Sequence, residues 1–281
     1  MTETLVLTAK DYKSDVKPTW CPGCGDFGVL SAVYKAMAQL QLRPDRTVAV
    51  SGIGCSSRIP YFLRTYGIHG IHGRALPIAQ GVKLANPDLT VLVFGGDGDF
   101  FAIGAGHLPH VCARNVDLTA IVMDNSTYGL TKGHTSPTSP VGQKTKSTPY
   151  GQIVQPLNPV LLAITYGASF VARGYSAKPQ QLTELIVQGI KHKGFAFIHV
   201  ESPCTEFNNT FNYFDSAVDD LPADWDPTDR EAAMHLALTE EKVHLGIFYR
   251  TETPTTYELN ARHWAGEPEP FDPDKFFERF M

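Results

Sequence analysis

Thr90-Val91-Leu92-Val93-Phe94-Gly95-Gly96-Asp97-Gly98-Asp99-Phe100 is the stretch on which the fold turns. Its apolar residues run without alternation and stop at two glycines, the pattern of a short strand covered on both faces. The glycine turn then leads towards a second apolar segment with helical spacing. Similar units lie on either side. Upstream, Thr47 to Val50 is a short apolar run ending in Ser51-Gly52-Ile53-Gly54. Downstream, Leu118 to Met123 ends at Asp124-Asn125, and Ser169 to Ala172 and Ala196 to Val200 repeat the pattern. Between them, helices are predicted over Asp26 to Leu42, with Val29, Leu30, Val33, Met37 and Leu40 on one face, and over Ala75 to Asn86, stopped by Pro87. Further helices are predicted over Phe101 to Ala113, Pro159 to Tyr166 and Gln180 to His192. Strands alternating with helices predict an α/β fold, a doubly wound parallel sheet with helices on both faces. Ligands of such sheets bind beyond the carboxyl ends of the strands, where Gly54-Cys55, Asp97 and Asn125 all fall.

Outside this alternation the chain changes character. Residues 1–19 read as an N-terminal arm, and 20–210 as the folded domain. The stretch 126–158, dense in Ser, Thr, Pro and Gly, is a loop too long to be a mere connector. Residues 211–281 form a C-terminal extension with one helix near Asp229 to His244 and a tail, Thr251 to Met281, rich in Pro, Glu and Phe. A tail with so little core of its own is expected to pack on a partner subunit.

At 281 residues, 43% hydrophobic and 19% charged, the composition is that of a soluble globular protein. A formal net charge of −5 and the lack of a basic run argue against nucleic acid as a partner. The first residues hold no signal-peptide pattern and no run is long enough to span a membrane, so the cytoplasm is the expected location. Five cysteines in such a chain do not suggest a disulfide framework. Cys112, among apolar neighbours, reads as a buried spare.

Asp97 is a candidate metal ligand. A carboxylate repels a diphosphate unless it holds a divalent cation that bridges to it, and Mg²⁺ is held by a few protein oxygens plus phosphate oxygens. The flanking glycines let backbone approach a phosphate. Twenty-eight residues on, Asn125 offers a second hard oxygen at another strand end, and the Thr127 carbonyl a third. Cys21-Pro22-Gly23-Cys24 places two thiols on one turn, and Cys55 and Cys204 each follow a strand. Four thiolates at one sheet edge suit zinc and a 4Fe–4S cluster equally.

Asp97 paired with Asn125 resembles the thiamine-diphosphate motif. Tyr128-Gly129-Leu130-Thr131-Lys132-Gly133 with Ser136-Pro137-Thr138 narrows the resemblance, together with Trp20-Cys21-Pro22-Gly23-Cys24-Gly25, Gly54-Cys55-Ser56, His72-Gly73-Arg74-Ala75 and Cys204. These blocks are similar to the β subunit of the 2-oxoacid:ferredoxin oxidoreductase family, from about Trp20 to Cys204 and more loosely to Tyr257. The resemblance implies a thiamine-diphosphate-binding fold and a cluster held by Cys21, Cys24, Cys55 and Cys204. It implies Mg²⁺ on Asp97, Asn125 and Thr127. Cofactor contacts follow from Ile53, Gly54, Cys55, Ser56, His72, Gly73, Arg74, Ala75, Gly96, Asp97, Gly98, Asp99, Asn125, Tyr128, Gly129, Leu130 and Thr131. The implied reaction oxidises a 2-oxo acid, releases CO₂, hands the acyl group to coenzyme A and passes electrons to ferredoxin. His72 and Arg74 are candidates to meet the anionic substrate or cofactor. Lys132 stands where many pyruvate-using relatives have glycine, and Lys132, His134, Lys144 and Lys146 give the long loop a positive balance; a cation there could pair with a second carboxylate and favour 2-oxoglutarate over pyruvate.

The family's cofactor is activated by a glutamate, yet none occurs between Glu3 and Glu184. A second chain, the α subunit, is therefore expected to complete the site in an αβ or (αβ)₂ assembly. The competing readings are a zinc-stabilised, non-oxidative thiamine decarboxylase and a non-catalytic phosphate-binding module.

Overall fold

The structure is a computed structural model, and it describes residues 6–239, 241–252 and 256–265. In chain order the elements are α1 (Asp26–Gln39), β1 (Thr47–Ser51), α2 (Ile59–Phe62), β2 (Tyr66–His69), α3 (Ala75–Ala85), β3 (Thr90–Gly96), α4 (Leu108–Arg114), β4 (Leu118–Asp124) and α5 (Pro159–Thr165). There follow β5 (Phe170–Tyr175), α6 (Pro179–Lys191), β6 (Phe195–Glu201), α7 (Phe211–Ala217), β7 (Val218–Asp220), α8 (Arg230–Thr239), β8 (Val243–Arg250) and α9 (Tyr257–Ala265).

The strands form one sheet in the order β2-β1-β3-β4-β6-β5-β8-β7. Every pairing is parallel except β5 with β8. Successive strand residues supply opposite faces, as the pleat requires. Ala49, Leu92, Phe94, Ile121 and Met123 pack with α1, α2 and α6. Val48, Val50, Val91, Val93, Ala120 and Val122 pack with α3, α4, α5 and α8. Two buried faces explain why these strands carry no polar alternation.

The sequence reading of the core strands and helices matches this architecture, and four differences have physical causes. The helix expected over Phe101 to Ala113 is broken: a π-helical turn spans Asp99–Ile103, and α4 starts only at Leu108, after Gly104 and Gly106. The short α2 and β2 lie between two apolar runs and carry too few residues to show a period. The arm is docked: Tyr12 is fully buried and donates from its hydroxyl to the Leu42 carbonyl at 2.8 Å. The largest correction concerns residues 211–250. Read as part of a C-terminal extension with one helix, they add β7 and β8 to the sheet and place Ala233, Ala237, Leu245 and Phe248 in the interior. Residues 253–255 and 266–281 of the tail lie outside the described residues.

The order β2-β1-β3 has the chain leave β1 in one direction and continue into β3 in the other. Such a reversal opens a crevice at the carboxyl ends of β1 and β3. Among the described residues, no helix is long and apolar enough to cross a membrane.

Candidate active site

A cavity of about 480 Å³ opens at that crevice. Its walls are residues at the ends of four strands: Ile53, Gly54, Cys55 and Ser56 after β1, His72 after β2, Gly96 closing β3 with Asp97, Gly98 and Asp99 after it, and Asn125, Thr127, Tyr128, Gly129, Leu130, Thr131, His134 and Thr135 after β4. Gly73, Arg74, Ala75 and Lys132 do not line it. Ala75 is buried at the start of α3. Arg74 turns its Nη1 to the Gly73 and Ile103 carbonyls, each at 3.1 Å. Lys132 stands exposed on the Tyr128–His134 turn with φ of +76°.

Asp97 is 2% exposed. The Thr138 hydroxyl, arriving from the long loop, lies 2.9 Å from Asp97 Oδ2 and 2.7 Å from Asp124 Oδ1. Asp124 Oδ2 meets His199 Nε2 at 3.0 Å. Burial opposes ionisation of Asp124, but the hydrogen bond and charge of His199 outweigh it and hold that carboxyl below the usual range. Burial, then the neighbouring Asp124 charge, pushes Asp97 well above it. A divalent cation would reverse that cost for Asp97, so the buried carboxylate fits Mg²⁺. Asn125 accepts through Oδ1 from the Thr127 amide at 3.1 Å, a turn that presents both residues to the cavity. Tyr128 donates to the Gly98 carbonyl at 3.3 Å and joins the two loops.

Asp99 lines the cavity and also fastens it. Its Oδ1 accepts from the Ile53 amide at 3.0 Å and the Gly73 amide at 2.7 Å, and meets His72 Nδ1 at 2.7 Å. Gly52 must be glycine because a Cβ there would overlap this carboxylate.

The cysteine-bearing segments meet beside the cavity. The Gly25 amide donates to the Pro203 carbonyl at 3.0 Å, and Trp20 Nε1 donates to the Cys55 carbonyl at 2.7 Å. Asp26, fully buried, accepts from Ser202 Oγ at 2.8 Å and Ser56 Oγ at 3.2 Å, so one carboxylate ties together the neighbours of Cys24, Cys55 and Cys204. A Cβ added to Gly129 would sit 3.6 Å from Cys204 Sγ and 3.8 Å from Cys55 Sγ. The bare face of this glycine is thus a wall shared by the cavity and the thiols. Burial, then Asp26, pushes the Cys55 thiol up to about 11 and Cys24 higher still. Cys24 and Cys55 each feel the charge of Cys204, and Cys55 that of Cys21; thiols so placed could give up their protons to a metal centre on binding. Among the described residues, no three His, Cys, Asp or Glu side chains close around a single point. Cys112 is buried in α4, in the other core.

Sequence reasoning did not single out Asp26, Asp124, Thr135 or His199, and it read His134, which lines the cavity, only as part of the long loop's positive balance. Asp26 had one local signal, an acidic residue directly after Cys24-Gly25 at a helix start. His199 sits inside an apolar strand and reveals its role only through Asp124 on the neighbouring strand.

Glycines, an aspartate and an asparagine on adjacent strand ends around an open crevice define a thiamine-diphosphate-binding α/β domain. Residues 52–200 match the family model described as the C-terminal TPP-binding domain of thiamine pyrophosphate enzymes, and 204–265 match the C-terminal model of the pyruvate ferredoxin oxidoreductase β subunit. The chain is 48% identical over 255 residues to a 2-oxoacid:ferredoxin oxidoreductase subunit beta of Saccharolobus solfataricus, covering 85% of this chain and 84% of that one. It is 42% identical over 243 residues to the 2-oxoglutarate synthase subunit KorB of Methanocaldococcus jannaschii, covering 84% and 88%. It superimposes with a TM-score of 0.91 and 44% identity on a 2-oxoglutarate:ferredoxin oxidoreductase from Magnetococcus marinus, solved with 2-oxoglutarate, coenzyme A and succinyl-CoA bound, over 98% of this chain and 96% of that one. The chain belongs to the 2-oxoacid:ferredoxin oxidoreductase family, among its β subunits.

Proposed function

We propose that this chain supplies the diphosphate anchor and one 4Fe–4S cluster to an enzyme that oxidatively decarboxylates a 2-oxo acid, with 2-oxoglutarate favoured and pyruvate next, to acyl-CoA and CO₂, passing single electrons to ferredoxin. The observation that carries the reading is the wall at Gly129, which faces the cavity and lies against Cys55 and Cys204. Asp97, Asn125 and the Thr127 carbonyl would hold Mg²⁺, and Cys21, Cys24, Cys55 and Cys204 would hold the cluster. Thiamine diphosphate, when bound, supplies the carbanion and electron sink that decarboxylation needs. The chain's own groups do the placing. Gly96 would admit the diphosphate to the backbone beside Asp97, while Gly98 makes room for the Tyr128 ring. Asp99 holds the His72 ring by Nδ1, so Nε2 is the nitrogen left to take or give a proton in the cavity. Arg74, held by the Gly73 and Ile103 carbonyls, orders the loop that carries His72.

Among the described residues, no glutamate lines the cavity. We assign the activating glutamate to an α subunit, in an αβ or (αβ)₂ assembly. Leu259 and Trp264 on α9, 51% and 87% exposed, support a partner-facing role for that helix. The 2-oxoglutarate preference rests on Lys132, which stands on the turn whose neighbours Leu130 and Thr131 line the cavity. The test is anaerobic purification of the chain with its α subunit, followed by iron analysis and by spectra after adding a 2-oxo acid and coenzyme A. Brown colour and bleaching on substrate addition are expected; a colourless, zinc-loaded protein would sink the reading. Lys132→Gly should lower the 2-oxoglutarate to pyruvate ratio, and an unchanged ratio removes the support from Lys132.

A further inference from the structure

A second groove, separate from the cofactor cavity, runs between residues 9–18 and one face of α1. Lys10, Lys13, Lys17 and Lys35 line it, with Asp15 the one acid in its wall. All four lysines are exposed, and among the described residues none forms an ion pair. Lys13 Nζ lies 5.5 Å from the centroid of the Tyr34 ring, and four cations without an acid partner, on a chain of net charge −5, make a local positive field on an otherwise acidic molecule. The floor is apolar: Val16 is 52% exposed and Phe27 39%. An exposed apolar centre with a charged rim is the anatomy of a transient protein interface.

The groove also lies one aromatic pair from the cysteines. The Phe27 ring stands edge-on to Trp20, with centroids 5.2 Å apart. Trp20 Nε1 donates to the Cys55 carbonyl at 2.7 Å, and the Phe27 amide donates to the Cys24 carbonyl at 3.2 Å. The groove floor is thereby joined to two of the four thiol-bearing residues by direct contacts. Electron transfer weakens steeply with distance, so a redox partner must dock where the path to the metal centre is short.

We propose that this groove is the docking site of a small acidic electron-carrier protein, with the lysines steering it and the Phe27–Trp20 pair lying between it and the cluster. The inference rests on the cluster reading above. In each docking, one electron leaves the reduced cluster and enters the oxidised carrier, so the two electrons released per 2-oxo acid require two dockings.

The test uses the loaded αβ complex and an oxidised ferredoxin of strongly negative net charge. Binding is measured by calorimetry at several salt concentrations, and 2-oxo acid-dependent reduction of methyl viologen is measured in parallel. The combined reversal Lys13→Glu, Lys17→Glu and Lys35→Glu should raise the Kd roughly tenfold or more and flatten its salt dependence. The three glutamine substitutions should fall between it and the native complex, and methyl viologen reduction should stay at the native rate. Reversal of Lys144 and Lys146 on the long loop serves as the control and should leave the Kd within about twofold. A triple variant that binds like the native complex overturns the inference, as does an effect from the control as large as its own. Loss of the α subunit from the triple variant on size exclusion overturns it too, because the groove then belongs to the subunit interface. A native complex that neither binds the carrier nor reduces methyl viologen would instead fail the function proposed above, and this inference with it.

Discussion

Replacing Thr138 by valine keeps the shape of the side chain and removes one hydroxyl. That hydroxyl sits between two buried carboxylates, 2.9 Å from Asp97 Oδ2 and 2.7 Å from Asp124 Oδ1. A hydrogen bond to a charged group is worth about 1.5–3 kcal/mol net, and a buried acceptor left short of a donor adds to the loss, so the substitution should cost about 2–4 kcal/mol. For a domain somewhat above 200 residues this corresponds to a fall in Tm of roughly 5–10 °C. The assay is thermal unfolding of the αβ complex freed of cofactor, compared with Thr138→Ser, which restores the hydroxyl and should recover most of the loss. The same hydroxyl orients Asp97, so thiamine diphosphate with Mg²⁺ should bind roughly tenfold more weakly to the valine variant. A valine variant that melts within about 1 °C of the native complex and binds the cofactor equally well would refute the idea that the long loop organises the Asp97 carboxylate through Thr138.

Other substitutions probe separate parts of the account. Gly52→Ala drives a methyl into Asp99 and breaks its hold on the Ile53 and Gly73 amides; a loss of about 3 kcal/mol or more is expected, read by denaturant unfolding, and a near-neutral alanine would remove Asp99 as the fastener of the site. Cys204→Ala should abolish iron retention, whereas Cys112→Ala should leave iron content unchanged, since that thiol lies in the opposite core. His192 is held below its ordinary value of 6.5 by burial, with its Nε2 2.7 Å from Ser169 Oγ. The unfolded chain therefore binds the extra proton first, and the stability that His192 contributes is full above pH 6.5 and lost as pH falls through its lower folded value. His192→Gln should flatten the slope of Tm against pH just below 6.5, and an unaltered slope would contradict the assignment.

The chain's primary structure by itself determined the parts that depend on neighbours in sequence. Runs such as Thr90 to Phe94 and Leu118 to Met123 carry no polar alternation because both faces are covered, which makes a doubly wound sheet readable without coordinates. Asp97 and Asn125, which line the cavity, were legible because glycines and strand ends mark them locally. Three-dimensional packing decided the rest. The reversal at β1 and β3 sets where the cavity opens, and neither strand records it. Residues 218–220 and 243–250 become strands only because the edge of β5 is there to pair with β8, and β8 in turn pairs with β7. Asp26, Thr138 and His199 acquire their roles from partners 14 to 176 residues away. A buried carboxylate can be tolerated only where hydrogen-bond donors and compensating charge converge on it, and that convergence is a property of the folded sheet edge rather than of any segment that contributes to it.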